Sequence, residues 1–171
     1  MKCLLVLPLF FAAMSATPEN TPITDRAIEV AASVSAPRTA VWRALTDQAE
    51  LPKWFGRGAQ VELRDGGPYE IYFLVENPPG LRGGEGNTIT SFRPGHLLAF
   101  TWNAPPSFGP LRDIRTHVLI ELADDPAGGT RVKLTHYGWR EGADWRKVHD
   151  YFAAAWPNVL ANLQKHFAPA G

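Results

Sequence analysis

One stretch near the C-terminus, Asp144 to Phe167, restricts the possible folds more than any other part of the chain. Its large apolar residues, Trp145, Val148, Phe152, Trp156, Val159, Leu160, Leu163 and Phe167, recur at steps of three and four. That spacing puts them on one face of an α-helix. The opposite face carries Arg146, Lys147, Asp150, Asn158, Asn162 and Lys165, so the helix is amphipathic and is not a bilayer span. With a rise of about 1.5 Å per residue it reaches roughly 36 Å, the width of a small domain, and can lie across an entire sheet. Pro157 interrupts it, because proline cannot donate to the carbonyl of Ala153 and its ring crowds that turn. A kink is expected there, with a break into two helices as the alternative; the apolar stripe keeps its register across the proline, which favours the kink.

The segments upstream supply a partner for that face. Ala27 to Ser35 alternates Ile28, Val30, Ala32 and Val34 with smaller or polar residues, the period of a half-buried strand. Pro37 then opens a helical stretch with Val41, Trp42 and Leu45 inward, and Leu51, Trp54 and Phe55 form a second short helix ended by Gly56 and Gly58. From Ala59 the pattern changes to short alternating runs divided by turn residues: Ala59 to Arg64, Tyr69 to Glu76, Gly86 to Phe92, Leu97 to Asn103, Ile114 to Leu122 and Thr130 to Gly138. This is an antiparallel meander, and with the first run it predicts seven strands. The expected architecture is α+β, a seven-stranded antiparallel sheet curled around a long C-terminal helix, with two short helices after the first strand. Alternation turns Val61, Leu63, Tyr69, Ile71, Phe73, Val75, Leu98, Phe100, Trp102, Val118, Ile120, Leu122, Val132, Leu134 and His136 towards the helix.

The 171 residues, 45% hydrophobic and 20% charged, suit a single domain with a sizeable core. Seventeen basic side chains balance seventeen acidic ones without long runs of either sign, which leaves no electrostatic footprint for nucleic acid. At the N-terminus, Lys2, the apolar run Cys3 to Met14 and the small residues Ala13, Ser15 and Ala16 read as a cleavable export signal. The run is too short to span a bilayer. Residues 1–16 are therefore expected to be a signal peptide, 17–26 a flexible lead-in and 27–168 the folded domain, in a protein that is periplasmic or secreted. The single cysteine, Cys3, would leave with the signal, so the mature chain would have no thiol chemistry.

The run SAPRTAVWRALTD, the LPKWF pair, GGPYEIYF, RPGHLLAFTW, GGTRVKLTHYGW and the Trp156-containing helix occur in an order that resembles the Bet v 1/START-like (SRPBCC) superfamily. Within it the chain looks most similar to the group related to the activator of Hsp90 ATPase C-terminal domain. The resemblance covers Ile28 to Phe167. It implies a helix-grip domain with an apolar cavity between sheet and helix, and functions that range over lipid and hydrophobe binding, polyketide cyclisation and regulation. Two departures stand out. Ala155 precedes the helix Trp where the family often has Gly, and an exported chain would not meet a cytoplasmic Hsp90.

In an antiparallel meander every second connection lies at the same end. The Pro- and Gly-rich connections Asn77 to Glu85 and Ala104 to Asp113 therefore share a rim with the entry to the long helix. Leu81, Phe108, Leu111 and Trp139 are expected to form an apolar cavity mouth there, or else to plug the end of the core. Tyr69, Phe73, Phe100, Trp102, His136, Phe152 and Trp156 are the expected ligand contacts, for a small hydrophobic molecule or lipid bound without covalent catalysis. His136 is polar on an apolar face: either a structural group, or an acid/base in a cyclase- or hydratase-like enzyme with Tyr69, Thr88, Thr90 or Thr116 as its polar neighbour. A protein-interaction or co-chaperone-like domain using the outer sheet face is a third reading. His96, His117, His136, His149 and His166 are scattered, without metal-ligand spacing, and no nucleotide-binding or nucleophile motif is present, so neither a metal nor a cofactor is implied.

Overall fold

The computed structural model describes residues 21–169. The expected signal peptide and the first part of the lead-in lie outside them. Strands β1 (Ala27–Val34), β4 (Ile89–Arg93), β5 (Leu97–Trp102), β6 (Thr116–Asp124) and β7 (Thr130–Tyr137) form an antiparallel sheet in the order β1-β7-β6-β5-β4. Helix α1 (Arg38–Thr46) and a 3-10 turn (Leu51–Lys53) follow β1, and α2 (Ala143–His166) closes the chain. Strands β2 (Gly58–Val61) and β3 (Tyr69–Tyr72) form a separate two-stranded sheet.

The single seven-stranded sheet therefore needs correction: among the described residues there are seven strands, but as five plus two. The hairpin touches β4 through the bridge of Pro68 with Thr88 and the bonds of Tyr69 N to Asn87 O and Ile89 N to Gly67 O. Pro68 has no N–H to continue a ladder, and the β4–β5 register slips between Ile89 and Ser91, so regular pairing stops there. The hairpin strands are also shorter than the alternation suggested. Leu63 lies beyond β2 at the surface, and Phe73 and Val75 lie beyond β3. Their alternation continued past the last ladder bond, which sequence period alone cannot locate.

Trp145, Val148, Phe152, Trp156, Leu160 and Leu163 of α2 are all buried, in one core cluster with the inward residues of β1, β5, β6 and β7, and Gln164 Nε2 donates to Ser33 O of β1 at 2.9 Å. Complete burial of residues such as Val148 and Leu163 contributes roughly 1.5–3 kcal/mol each. The helix runs through Pro157 as one element, so the two-helix alternative does not occur. Asn158 Nδ2 donates to the carbonyl of Ala154 at 3.1 Å, giving one exposed helix carbonyl a second partner beside the proline. Among the described residues no helix is long and apolar enough to cross a membrane.

Helix α1 ends without a left-handed cap, and two aromatic side chains satisfy its last carbonyls. Trp54 Nε1 donates to Ala44 O at 3.0 Å, and the Tyr69 hydroxyl donates to Leu45 O at 2.9 Å. This anchors the hairpin to α1. Near the other terminus of the domain, Ile23 bridges Arg140, Thr24 N donates to Trp139 O and Glu141 N donates to Pro22 O. The last residues of the segment read as lead-in are thus tied to the β7–α2 connection.

Candidate ligand-binding cavity

Between the middle of α2 and the loop end of the sheet lies a partly open cavity of about 240 Å³. One wall is Tyr151, Phe152, Ala155, Trp156 and Val159, residues that share a helix face by their three- and four-residue spacing. Ala155 is the only small side chain among them, and it leaves room where a larger residue would fill the stripe. The facing wall is Trp102 at the end of β5 and the Asn103–Pro106 segment after it. Phe55, Phe73, Leu74 and the Gly83–Gly84 backbone complete it. A Cβ added to Gly84 would stand 3.0 Å from Ile71 O and 3.1 Å from the Trp102 ring, so a larger residue would push the loop or the ring back by a few tenths of an ångström.

The rings stack in two pairs. Phe55 and Trp102 lie 6.0 Å apart and 21° from parallel on the sheet side, and Phe152 and Trp156 lie 5.9 Å apart and 21° from parallel on the helix. Trp102 and Trp156 meet at 47° with centroids 5.8 Å apart, so the two pairs form a wedge rather than a parallel clamp.

The rim is held by buried polar groups. Asn103 Nδ2 donates to Gly83 O (3.1 Å) and Glu85 O (3.3 Å), while Asn87 Nδ2 donates to Asn103 Oδ1 (3.1 Å) and Gly84 O (3.0 Å). From the 3-10 segment Pro106–Asp113, Arg112 donates to the carbonyls of Ala104 (2.9 Å), Gly80 (2.7 Å) and Gly83 (3.2 Å). Glu85 accepts from the backbone N–H groups of Gly80 (2.7 Å) and Arg82 (2.6 Å). The two long connections are thereby fastened to each other, as the meander's strand directions require. Outside this rim Phe73, Leu74 and Tyr151 stand 37%, 45% and 47% exposed, an apolar entrance.

A helix laid over an antiparallel sheet, with an apolar space at one end, can be compared with known proteins. The family model described as "Activator of Hsp90 ATPase homolog 1-like protein" matches residues 35–168. The chain belongs to this family. Its fold is shared with a solved protein from Mesorhizobium loti (TM-score 0.66, 23% identity, covering 82% of this chain and 96% of that one). CalU16 from Micromonospora echinospora is similar too (TM-score 0.61, 22% identity, 84% and 77%), as is the Aha1 dimer from Colwellia psychrerythraea (TM-score 0.63, 19% identity, 83% and 96%). A search among curated protein sequences found no match.

Within this activator-like domain, four of the expected ligand contacts, Phe73, Trp102, Phe152 and Trp156, stand at the cavity wall, and three do not. Tyr69 is buried and committed to Leu45 O. Phe100 lies behind it at 4.3 Å, also fully buried. His136 is the third. Of the expected mouth residues, Trp139 is wholly buried: Gly138 (φ 91°) reverses the chain directly after β7, and Trp139 folds under to lie 4.2 Å from the His136 ring and donate to its carbonyl at 3.0 Å. Leu81 is exposed, Leu111 is half-buried, and Phe108 packs edge-on against Tyr151 at 5.8 Å; none of the three reaches the wall. The sequence reading missed Phe55, Leu74, Tyr151, Ala155 and Val159 as lining side chains, together with the Asn103–Pro106 segment. A small residue inside an otherwise large apolar stripe was the signal available for Ala155.

His136 is fully buried and both ring nitrogens are engaged. Trp156 Nε1 lies 2.8 Å from Nδ1. An indole nitrogen only donates, so Nδ1 must carry a lone pair and the ring proton sits on Nε2. Nε2 then donates to Thr116 Oγ1 at 2.7 Å, and the Thr116 hydroxyl donates to Trp102 O at 3.1 Å. Burial holds the His136 pKa well below its ordinary value, with smaller contributions from the charges of His149 and His117. A second proton, on Nδ1, would point at the Trp156 N–H. Thr116 is thus the polar neighbour anticipated for an acid/base histidine, but no nitrogen of the ring faces the cavity. His117 lies on the opposite strand face, stacked 5.4 Å from Tyr137. Among the described residues no group of three potential metal ligands comes together.

Proposed function

We propose that this protein binds a small hydrophobic molecule non-covalently in the cavity between the sheet and α2. The observation that carries this reading is an unfilled apolar space walled by Phe55, Trp102, Phe152 and Trp156, in an interior that is otherwise closed by large side chains. Such sites are concave and apolar, with few polar groups. The acid/base reading is less well supported because the Trp156 and Thr116 bonds occupy His136. Mass spectrometry of an organic extract, taken from protein purified from its own compartment, tests the proposal. A stoichiometric apolar compound is expected. No such compound, together with hydrophobic-probe binding unchanged by Ala155→Trp, would overturn it.

The proposal includes export, for which Lys2, the Cys3–Met14 run and the small residues before Thr17 are the support. N-terminal sequencing of protein recovered from cell fractions should find a chain starting close to Thr17 outside the cytoplasm. A cytoplasmic chain retaining Met1 would sink the export reading and favour the co-chaperone-like alternative, which the family description and the Aha1 structure otherwise support by fold alone.

A further inference from the structure

The cavity's size and chemistry narrow its ligand beyond "hydrophobic", and this deeper reading rests on the binding proposal above. No lining residue is charged. Apart from the Trp102 indole N–H, the polar side-chain atoms at the inner wall already have protein partners. Asn103 is bonded at both ends of its amide, the carbonyls of Gly83, Gly84 and Ala104 accept from Asn103, Asn87 and Arg112, and Gly84 N donates to Ile71 O at 2.8 Å. A buried ionised ligand group would lose its hydration there with only that one N–H to replace it. The Tyr151 hydroxyl is different: it belongs to a half-exposed side chain at the entrance.

Volume sets the second limit. A dry cavity of about 150 Å³ holds one benzene, so the same packing puts about ten carbon atoms into 240 Å³. A long acyl chain exceeds that. Shape sets the third: the Phe55–Trp102 and Phe152–Trp156 pairs diverge by about 50°, as the Trp102–Trp156 and Phe55–Trp156 angles of 47° and 54° show. A flat ring lying on one pair meets the other at an inclination, and both offset-stacked and edge-on ring contacts are favourable. We infer that the site selects an uncharged, flat, two-ring aromatic molecule, or the two-ring end of a larger one whose polar substituents leave past Tyr151.

Calorimetric titration of the full mature chain with four probes tests this: naphthalene, 1-decanol, 2,6-naphthalenedicarboxylate and palmitate. Naphthalene is expected to bind at least tenfold more tightly than decanol, which has the same carbon count but is not flat. The dicarboxylate, flat but charged at both ends, and palmitate should bind at least a hundredfold more weakly than naphthalene. Ala155→Trp, or Val159→Phe as a second filling variant, should abolish naphthalene binding while the melting temperature shows that the domain still folds. Decanol, palmitate or the dicarboxylate matching naphthalene, in a manner abolished by the filling variants, would overturn the aromatic selectivity and leave the binding reading standing. Naphthalene binding untouched by both variants would also overturn it. If no probe binds the parent at all, the two-ring reading falls, and the binding reading falls with it when the organic extract also yields no apolar compound.

Discussion

The two ends of the space beneath α2 are built from similar residues and come out differently. At the β7 end, His136, Trp139, Phe152 and Trp156 fill the interior and every ring nitrogen of His136 and Trp139 has a partner. At the loop end, Phe55, Phe73, Trp102 and the other sides of Phe152 and Trp156 leave about 240 Å³ open. Aromatic content does not separate them. What differs is a polar chain from Trp156 through His136 and Thr116 to Trp102, which draws α2, β7, β6 and β5 together at one end, against Ala155 and the prolines after Asn103, which withhold volume at the other. Trp156 belongs to both: its N–H serves the closed end and its ring walls the open one.

Removing that shared residue should have the largest effect. Trp156→Ala is expected to cost about 3–5 kcal/mol, the range for deleting a large packed side chain, and to leave His136 Nδ1 without its donor; urea unfolding measures it. A cost below about 1 kcal/mol would mean the ring packs as loosely on the closed side as on the open one. Trp156→Phe keeps the apolar wall and should cost about 1–3 kcal/mol for the orphaned His136 nitrogen, with probe binding largely retained.

Arg112→Met separates rim from core. It removes three bonds to loop carbonyls, and hydrogen bonds from a charged group are worth about 1.5–3 kcal/mol when well made. Faster amide exchange should appear at Gly80–Glu85, with weaker probe binding and little change at His136. Equal loss of protection across β6 and β7 would show that the rim and the closed end are one cooperative unit.

The closed end should also give the protein an acid-sensitive stability. Because the folded pKa of His136 is depressed, the unfolded chain takes up a proton as pH falls through about 6.5 while the native chain does not. Stability should therefore decline below that pH and keep declining until the folded pKa is reached. His136→Gln should flatten this part of the profile; an unchanged slope would assign the acid sensitivity to carboxylates instead. The smallest effect is expected from Pro157→Ala, on the exposed side of α2, where restoring one backbone bond should hold or slightly raise the melting temperature. Any accompanying fall in probe binding would show that the proline helps keep the cavity open.

The long-range organisation was legible because it follows from period and strand direction. The stripe from Trp145 to Leu163 announced α2, and parity alone brought the Asn77–Glu85 and Ala104–Asp113 connections to one rim. The misreadings concern where an alternation stops and what a buried polar atom meets. Leu63 and Val75 continue an alternation past the last residues of β2 and β3, Val61 and Tyr72. Tyr69 and His136 look alike in sequence, each polar on an inward face, yet one serves the end of α1 before it and the other an indole of the helix that follows. Trp139 was placed at the entrance because it follows a strand; the reversal at Gly138 sends it inside. Such partners are set by tertiary approach, to which local pattern carries no pointer.

The fastening of the two long loops by Arg112 and Glu85 bears on how quickly a guest can come and go. With Arg112 bonded to Gly80 and Gly83 of one loop and to Ala104 of its own, neither loop is suited to swing aside as a lid, a motion that takes microseconds to milliseconds in proteins that use one. Passage would instead depend on the half-exposed side chains of Phe73, Leu74 and Tyr151 changing rotamer, which surface residues do in picoseconds to nanoseconds. Uptake should then be limited by the scarcity of a poorly soluble guest in water, and residence time by the contacts it makes inside.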